Sequence, residues 1–167
     1  MNYLRKAPFT RLWIVLLIAG LSITMTLTAA ESSAETPKVV PKAALSQLKI
    51  GDRYAGGVIF YLDATGQHGL VASATDASLS SNWYDAKMLC NEFLNGYGDW
   101  FLPNKQQLNQ LFLNKSAVGG IADAVALNYW SSTEASAVNG WYQNFLSGVQ
   151  KADSKIKVGR VRPVRAF

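Results

Sequence analysis

The residues best suited to bind a ligand are basic and lie close to the C-terminus. Residues 151–167 contain six basic residues against one acidic residue, a net charge of +5. Residues 31–150 contain seven basic residues against ten acidic ones, a net charge of −3. This asymmetry is compatible with an anionic partner, although lysines also keep an exposed strand edge soluble. We expect the ligand contacts to come from Lys151, Lys155, Lys157 and Arg160, in the loop and at the start of the last predicted strand.

Two further arginines of the same segment allow two interpretations. Arg162 and Arg165 lie on opposite faces of the last predicted strand, because side chains alternate along a strand. One interpretation is that they bind ligand. The other is that one of them is a structural arginine paired with Asp99 or Glu134.

The sequence lacks the combinations of residues that catalysis or metal binding would need. His68 is the only histidine and Cys90 the only cysteine of the chain. We find no Ser-His-Asp spacing, phosphate-binding loop or carboxylate pair above chance. Cys90 falls on an apolar helix face and is interpreted as a small buried hydrophobic residue, with an intermolecular disulfide as the alternative. The sequence therefore predicts no enzyme, no cofactor and no metal site.

One helix is predicted to precede a short aromatic segment. Apolar residues recur at helical spacing from Trp83 to Leu94. Asn82 is a plausible N-cap, and Asn95-Gly96 is a stop signal. These signals predict a short amphipathic helix with one buried face.

A second helix is predicted to follow the same aromatic segment. Asn104 and Gln107 have the spacing of a capping box, and Leu108, Leu111 and Phe112 form one apolar face. Residues 99–102, Asp-Trp-Phe-Leu, are too apolar for a solvated loop and too short for a helix. We interpret them as a buried linker strand between the two helices.

The remaining elements are predicted to be strands punctuated by turns. Residues 57–62 and 68–73 flank a turn at 63–67 and predict a hairpin. Three more strands are predicted at 129–133, 141–145 and 157–165. Strands paired mainly antiparallel around two short helices predict an α+β fold.

The N-terminal part has the composition of an export signal and a tether. Residues 1–30 combine a basic start, an apolar run from Leu12 to Leu27 and small residues at Thr28-Ala29-Ala30, as in a Sec-type signal peptide. An uncleaved membrane anchor is the alternative. Residues 31–49 lack apolar periodicity and predict a flexible linker, so the folded domain is predicted to span 50–167.

Several motifs between the linker and the C-terminus occur together and in order. They are Ile50-Gly51-Asp52, Gly56-Gly57-Val58-Ile59-Phe60-Tyr61, Gly69-Leu70-Val71, Trp83 with Ala86 and Cys90, Gly98-Asp99-Trp100, Leu102-Pro103, Tyr129-Trp130-Ser131-Ser132-Thr133-Glu134, and Val161-Arg162-Pro163-Val164-Arg165. Together they resemble the C-terminal domain family of the Legionella collagen-like adhesin. The resemblance implies a C-type-lectin-like fold and an exported bacterial binding domain. In the adhesin, this domain is associated with sulfated glycosaminoglycans and with trimers.

The chain departs from that family and from its relatives in ways that limit the implied function. It has no Gly-X-Y repeat, so the collagen stalk that helps to build a trimer is absent. Calcium-dependent lectins of this fold use a Glu-Pro-Asn or Gln-Pro-Asp loop and a Trp-Asn-Asp strand, and neither occurs. Formylglycine-generating relatives depend on paired cysteines, and this chain has one cysteine, so that activity is not expected. The tryptophans beyond the signal are expected in the core rather than stacked on sugars.

These observations predict an exported, non-catalytic, adhesin-like binding domain that is periplasmic, at the cell surface or secreted. Its expected ligand is a sulfated or otherwise acidic polysaccharide. The alternative is a structural or protein-interaction factor of the bacterial cell envelope. No nucleic-acid partner is expected, a membrane contact would come only from an uncleaved signal, and a homo-oligomer is compatible with the sequence.

Overall fold

The computed structural model describes residues 48–121 and 128–167. The predicted signal peptide at 1–30 and the predicted linker up to residue 47 lie outside the described residues. Within the two described ranges, no helix combines the length and the apolar composition needed to cross a membrane.

Strands outnumber helices in the described part of the chain. The strands are β1 (Arg53–Tyr54), β2 (Gly57–Leu62), β3 (Gly69–Ala72), β4 (Ser78–Ser81), β5 (Asn128–Glu134), β6 (Asn139–Asn144), β7 (Gln150–Ser154), β8 (Gly159–Val161) and β9 (Val164–Ala166). The helices are α1 (Trp83–Asn91), α2 (Lys105–Leu113) and the single turn α3 (Lys115–Val118). The α+β class is therefore confirmed, and β1, β4, β7 and α3 are elements that the sequence patterns did not predict.

The first sheet has the order β1-β2-β3-β9, with every neighbouring pair antiparallel. The predicted hairpin is confirmed as β2 and β3. Its turn is held by Asp63, whose carboxylate accepts a hydrogen bond from the Thr65 backbone N–H at 3.0 Å, as turn-forming aspartates do. Ile59 and Val71 pair across the hairpin and pack against Trp100, which gives this sheet its buried face.

The second sheet has the order β4-β8-β5-β6-β7, and only β5 and β8 run parallel. Because side chains alternate along β5, Tyr129 and Trp130 point to opposite faces. Trp130 packs with Trp83 of α1, and Tyr129 packs with Leu108 and Leu111 of α2. Helix α1 lies over β4, β8 and β5, so most of β6 and β7 stays open on that face.

The helix caps follow the sequence signals closely. The Asn82 side chain accepts hydrogen bonds from the N–H groups of Tyr84 and Asp85, both at 3.0 Å. The predicted capping box of α2 is also confirmed, with side chain-to-backbone bonds of 2.8 and 2.9 Å between Asn104 and Gln107. Helix α1 ends at Asn91, earlier than predicted. Leu94 is consequently 80% exposed rather than on a buried face.

The segment between the helices is buried at Trp100 and Leu102 but is not a strand, so that prediction was wrong. Only Phe101 forms a bridge, to Val164 of β9. Pro103 lacks an N–H, and the N-cap of α2 follows at once, so the ladder stops after that bridge. Trp100 and Leu102 are both buried, as predicted, in two different apolar clusters. The segment thereby ties the first sheet to α1.

The predicted last strand at 157–165 is divided into two strands that join different sheets. β8 pairs with β4 and β5, and β9 pairs with β3. The division falls at Arg162-Pro163. A proline cannot donate to a ladder, and Arg162 is buried at the crossing. The prediction that Arg162 and Arg165 lie on opposite faces of one strand was therefore wrong.

Candidate functional site

The four predicted ligand-binding residues have different surroundings, and Lys155 is the one that the structure buries. Its side chain is only 4% exposed. Its ammonium donates to Glu134 Oε2 at 2.9 Å and to the Ala137 carbonyl at 3.0 Å, and it lies 4.5 Å from the centroid of a Trp83 ring. This burial corrects the sequence prediction, because Lys155 is a structural residue without access to a ligand.

The Lys155 ammonium also acts on its partner carboxylate. Through its hydrogen bond and then its charge, it lowers the pKa of Glu134 from the usual value of 4.5. Glu134 itself is exposed. The pair therefore joins a buried cation to a carboxylate that water still reaches.

Arg160 and Arg162 converge on a single carboxylate, that of Asp76. Arg162 is fully buried, with Nε 2.6 Å from Asp76 Oδ1 and with further bonds to the carbonyls of Ser73 and Gly120 at 2.8 and 2.7 Å. Arg160 Nη1 is 3.1 Å from Asp76 Oδ2. The Tyr129 hydroxyl donates to the same oxygen at 3.0 Å. We call these four side chains, Asp76, Tyr129, Arg160 and Arg162, the Asp76 network.

The network decides the interpretation of Arg162. It is structural, but its partner is Asp76 rather than Asp99 or Glu134 as predicted. Arg160 is mostly buried and is bonded to Asp76 in the same network, so it too is not accessible to a ligand. Burial, followed by the negative charge of Asp76, raises the pKa of the Tyr129 phenol. The network therefore holds its hydroxyl in the protonated, donating form.

Arg165 pairs with Asp99, as one of the two interpretations predicted. Its Nε donates to Asp99 Oδ1, and its guanidinium carbon lies 3.9 Å from the centroid of the Tyr97 ring. The side chain is largely buried against that ring, while Asp99 is exposed. Arg165 thus secures β9 to the loop before α2.

Lys151 and Lys157 remain exposed, and the structure brings them to the same surface. They line two neighbouring cavities of about 230 and 250 Å³ that share Asn128 and Tyr142. Lys151 lies directly opposite Tyr142 in the β6–β7 ladder, so both side chains are on one face. We call the surface formed by Asn128, Tyr142, Lys151, Asp153 and Lys157 the lysine face.

Neighbouring strands hold the polar groups of the lysine face in place. Asn144 Nδ2 donates to Asn128 Oδ1 at 2.9 Å, and Asn144 Oδ1 accepts from the N–H groups of Leu146 and Ser147 at the turn that leads to β7. The Tyr142 ring stands edge-on to Trp130, with 6.1 Å between centroids. The position of Tyr142 is therefore fixed by its packing against Trp130, which belongs to the core.

Asp153 moderates the charge of the lysine face. Its carboxylate lies 2.9 Å from the Lys157 ammonium. A hydrogen bond from Lys157 lowers the pKa of Asp153, and the same bond raises the pKa of Lys157. Lys151 makes no such pair among the described residues, so it carries the less compensated charge of the two.

The side chains of the lysine face are of types that recognise ligands. Two ammonium groups can bind sulfate or carboxylate groups, an amide can bind hydroxyls, and a phenol ring can pack on a sugar face.

Within the described ranges, no three His, Cys, Asp or Glu side chains are arranged to hold a metal ion. Burial raises the pKa of the Cys90 thiol to about 12, and His68 is exposed in the β2–β3 turn.

Sequence patterns missed Asn128 and Tyr142. Both lie at or in predicted strands, but their shared cavity depends on the register that sets Trp130 opposite Tyr142 and Asn128 opposite Asn144. The available signal was the alternation within each strand. It identifies residues of one face without saying which strands are neighbours.

The comparison with known proteins covers most of the structure described above. A family model described as the Lcl C-terminal domain matches residues 63–165, which include both long helices, strands β3 to β8 and the lysine face. No curated protein matches the chain. The matched region exceeds half of the sequence, so the chain belongs to the Lcl C-terminal domain family, which indicates an adhesin-like, exported or surface domain.

Proposed function

We propose that this chain is a non-catalytic, adhesin-like binding domain that recognises sulfated or otherwise acidic polysaccharide through the lysine face. The observation that carries the proposal is that Lys151 and Lys157 line two adjoining cavities together with Asn128 and Tyr142. Cations beside an aromatic ring and an amide suit a polymer that has both anionic groups and hydroxyls. The proposed site of action is the periplasm, the cell surface or the medium.

The contact set is narrower than the basic segment as a whole. Lys155, Arg160 and Arg162 are held by carboxylates and carbonyls inside the domain, which leaves Lys151 and Lys157 as the accessible cations of the four proposed contacts. An exposed ion pair contributes little to binding by itself. Affinity for a polyanion therefore rests on several such pairs and on counterion release, which makes it sensitive to salt.

Heparin chromatography of a double variant tests the proposal. We expect Lys151→Ala/Lys157→Ala to elute at clearly lower salt than the wild type, with an unchanged melting temperature because both side chains are exposed. The matched control is Lys49→Ala/Arg53→Ala, which also removes two exposed positive charges, one just before β1 and one within it, in the other sheet. The proposal fails if the two double variants elute together.

A second candidate is supported by exposed apolar side chains around the turn that holds Lys155. The backbone N–H of Lys155 bonds to the Val138 carbonyl, and its own carbonyl accepts from Trp83 N–H, so Val138, Ile156 and Tyr84 are neighbours. All three are exposed, Ile156 by 81%. This surface would suit a protein of the cell envelope or a second copy of the chain.

Salt distinguishes the two candidates. Binding through the apolar side chains should tolerate high salt and should weaken in Val138→Ser/Ile156→Ser. Binding through the lysine face should be lost at high salt and should be unchanged in that variant. Sedimentation velocity at two salt concentrations, with and without heparin, separates them.

A further inference from the structure

A larger cavity than the two of the lysine face lies on the other side of the second sheet. It is a groove of about 670 Å³ bounded by α2, by Tyr61 and Leu70 of the first sheet, and by Gln150 of β7. Its volume is in the range of small-molecule sites, about 300–1,000 Å³. Six of its nine lining residues are asparagine or glutamine, and we therefore call it the amide groove.

Some of these amides are fixed in place by the fold. Asn109 Oδ1 accepts from Gln143 Nε2 at 2.9 Å, which leaves the Asn109 NH2 group to donate. Gln150 Nε2 donates to the Lys105 carbonyl at 2.8 Å and to Gln143 Oε1 at 3.1 Å, which leaves its own carbonyl oxygen to accept. A fixed donor and a fixed acceptor therefore line the same groove.

Other amides are free to adapt. Gln106 and Gln110 are exposed and lie one turn apart on α2, so their side chains are neighbours on the helix surface. No described side chain or backbone group forms a hydrogen bond with either amide. Each can donate and accept, which matches a ligand rich in hydroxyl groups, because a hydroxyl also does both.

The groove is almost uncharged. Its described lining contains no carboxylate, and its only cation is Lys105, whose ammonium lies 3.2 Å from the centroid of a Trp141 ring. Tyr61, which is 40% exposed, and Leu70 add an apolar strip against which a sugar ring can pack. The groove therefore offers an acidic polymer few positive charges to pair with, in contrast to the lysine face.

We propose that the amide groove is a second binding site, for an uncharged oligosaccharide. The fixed amides of Asn109 and Gln150 bind its hydroxyls, Gln106 and Gln110 close over it, and Tyr61 packs on a ring face. The site is independent of the lysine face, because alternation along β6 and β7 places the two on opposite sides of the sheet.

Saturation-transfer NMR with maltohexaose, cellohexaose and chitohexaose tests this site in the purified domain-containing chain. We expect transfer to at least one of the three, at equal strength in low and high salt. In Gln106→Ala/Gln110→Ala, binding should weaken by about tenfold, since two neutral hydrogen bonds are lost. Alanine favours the helix, so this variant should keep the fold.

The control is the lysine-face variant Lys151→Ala/Lys157→Ala, which should bind these oligosaccharides like the wild type. Three outcomes would overturn the proposal: no transfer to any of the three, transfer that is undiminished in the double glutamine variant, or transfer that is lost in the lysine-face variant. Failure of heparin binding in the wild type would leave this result untouched, because the two sites are probed by different ligands.

Discussion

The Asp76 network and the lysine face use cations from the same short segment for opposite purposes. In the network, Arg162 is buried and each of its bonding groups meets a carboxylate or a carbonyl. On the lysine face, Lys151 and Lys157 stay in water beside a tyrosine and an amide. The difference teaches that a net charge of +5 in a segment describes composition, whereas burial decides which charges can reach a ligand.

The sharpest contrast between the two regions should be in stability. Arg162→Ala leaves the carbonyls of Ser73 and Gly120 without their donor and removes one partner of Asp76. Breaking a buried ion pair typically costs roughly 3–5 kcal/mol. We expect a loss of that size in the free energy of unfolding, measured by urea denaturation. A loss below about 1 kcal/mol would remove the distinction between the two regions.

Lys155 should show an intermediate effect, because it is buried while its partner is not. Lys155→Met keeps an unbranched side chain against Trp83 and removes the ammonium. We expect a loss of about 1–2 kcal/mol, the size of a desolvated cation–π contact. Heparin elution should shift much less than in Lys151→Ala/Lys157→Ala, because Lys155 does not reach the surface.

The pair of Lys155 and Glu134 also predicts that the stability lost in Lys155→Met depends on pH. The folded-state pKa of Glu134 lies below its usual value of 4.5, so the pair stabilises the fold above that pH and stops doing so as pH falls through the lower value. The melting-temperature difference between wild type and Lys155→Met should therefore narrow between pH 7 and pH 3. A difference that widens on acidification would contradict the pairing.

The smallest effects should come from the lysine face, and they should appear in affinity alone. Asp153→Asn removes the carboxylate that compensates Lys157 and should strengthen heparin binding a few-fold. Glu92→Gln, at the end of α1, makes the same change in net charge away from the lysine face, and it should strengthen heparin binding less. Equal effects of the two substitutions would mean that overall charge, rather than this surface, sets the affinity.

Local signals explain which parts of the fold were predictable. The side chains of Asn82, Asn104 and Gln107 each bond to a backbone group within three residues of their own position, so a short stretch of sequence holds each whole cap. The turn at Asp63 is equally local. The α+β class and the hairpin followed from such signals.

The misses share a different cause, namely contacts between residues distant in the sequence. β7, Gln-Lys-Ala-Asp-Ser, has no apolar alternation and is a strand only because β6 pairs with it. Lys155 is buried by Glu134, Ala137 and Trp83, none of which lies near it in the sequence. The accessible site could be named only after these contacts were known.

A direct test of the central claim is a heparin-hexasaccharide titration followed by amide chemical shifts in the 15N-labelled chain. We predict that the perturbed residues cluster around Asn128, Tyr142, Lys151 and Lys157, that Arg162 and Lys155 hardly shift, and that the shifts diminish as salt is raised. Perturbations centred on α2 or β1, or shifts that persist in Lys151→Ala/Lys157→Ala, would contradict the lysine face as the polysaccharide site.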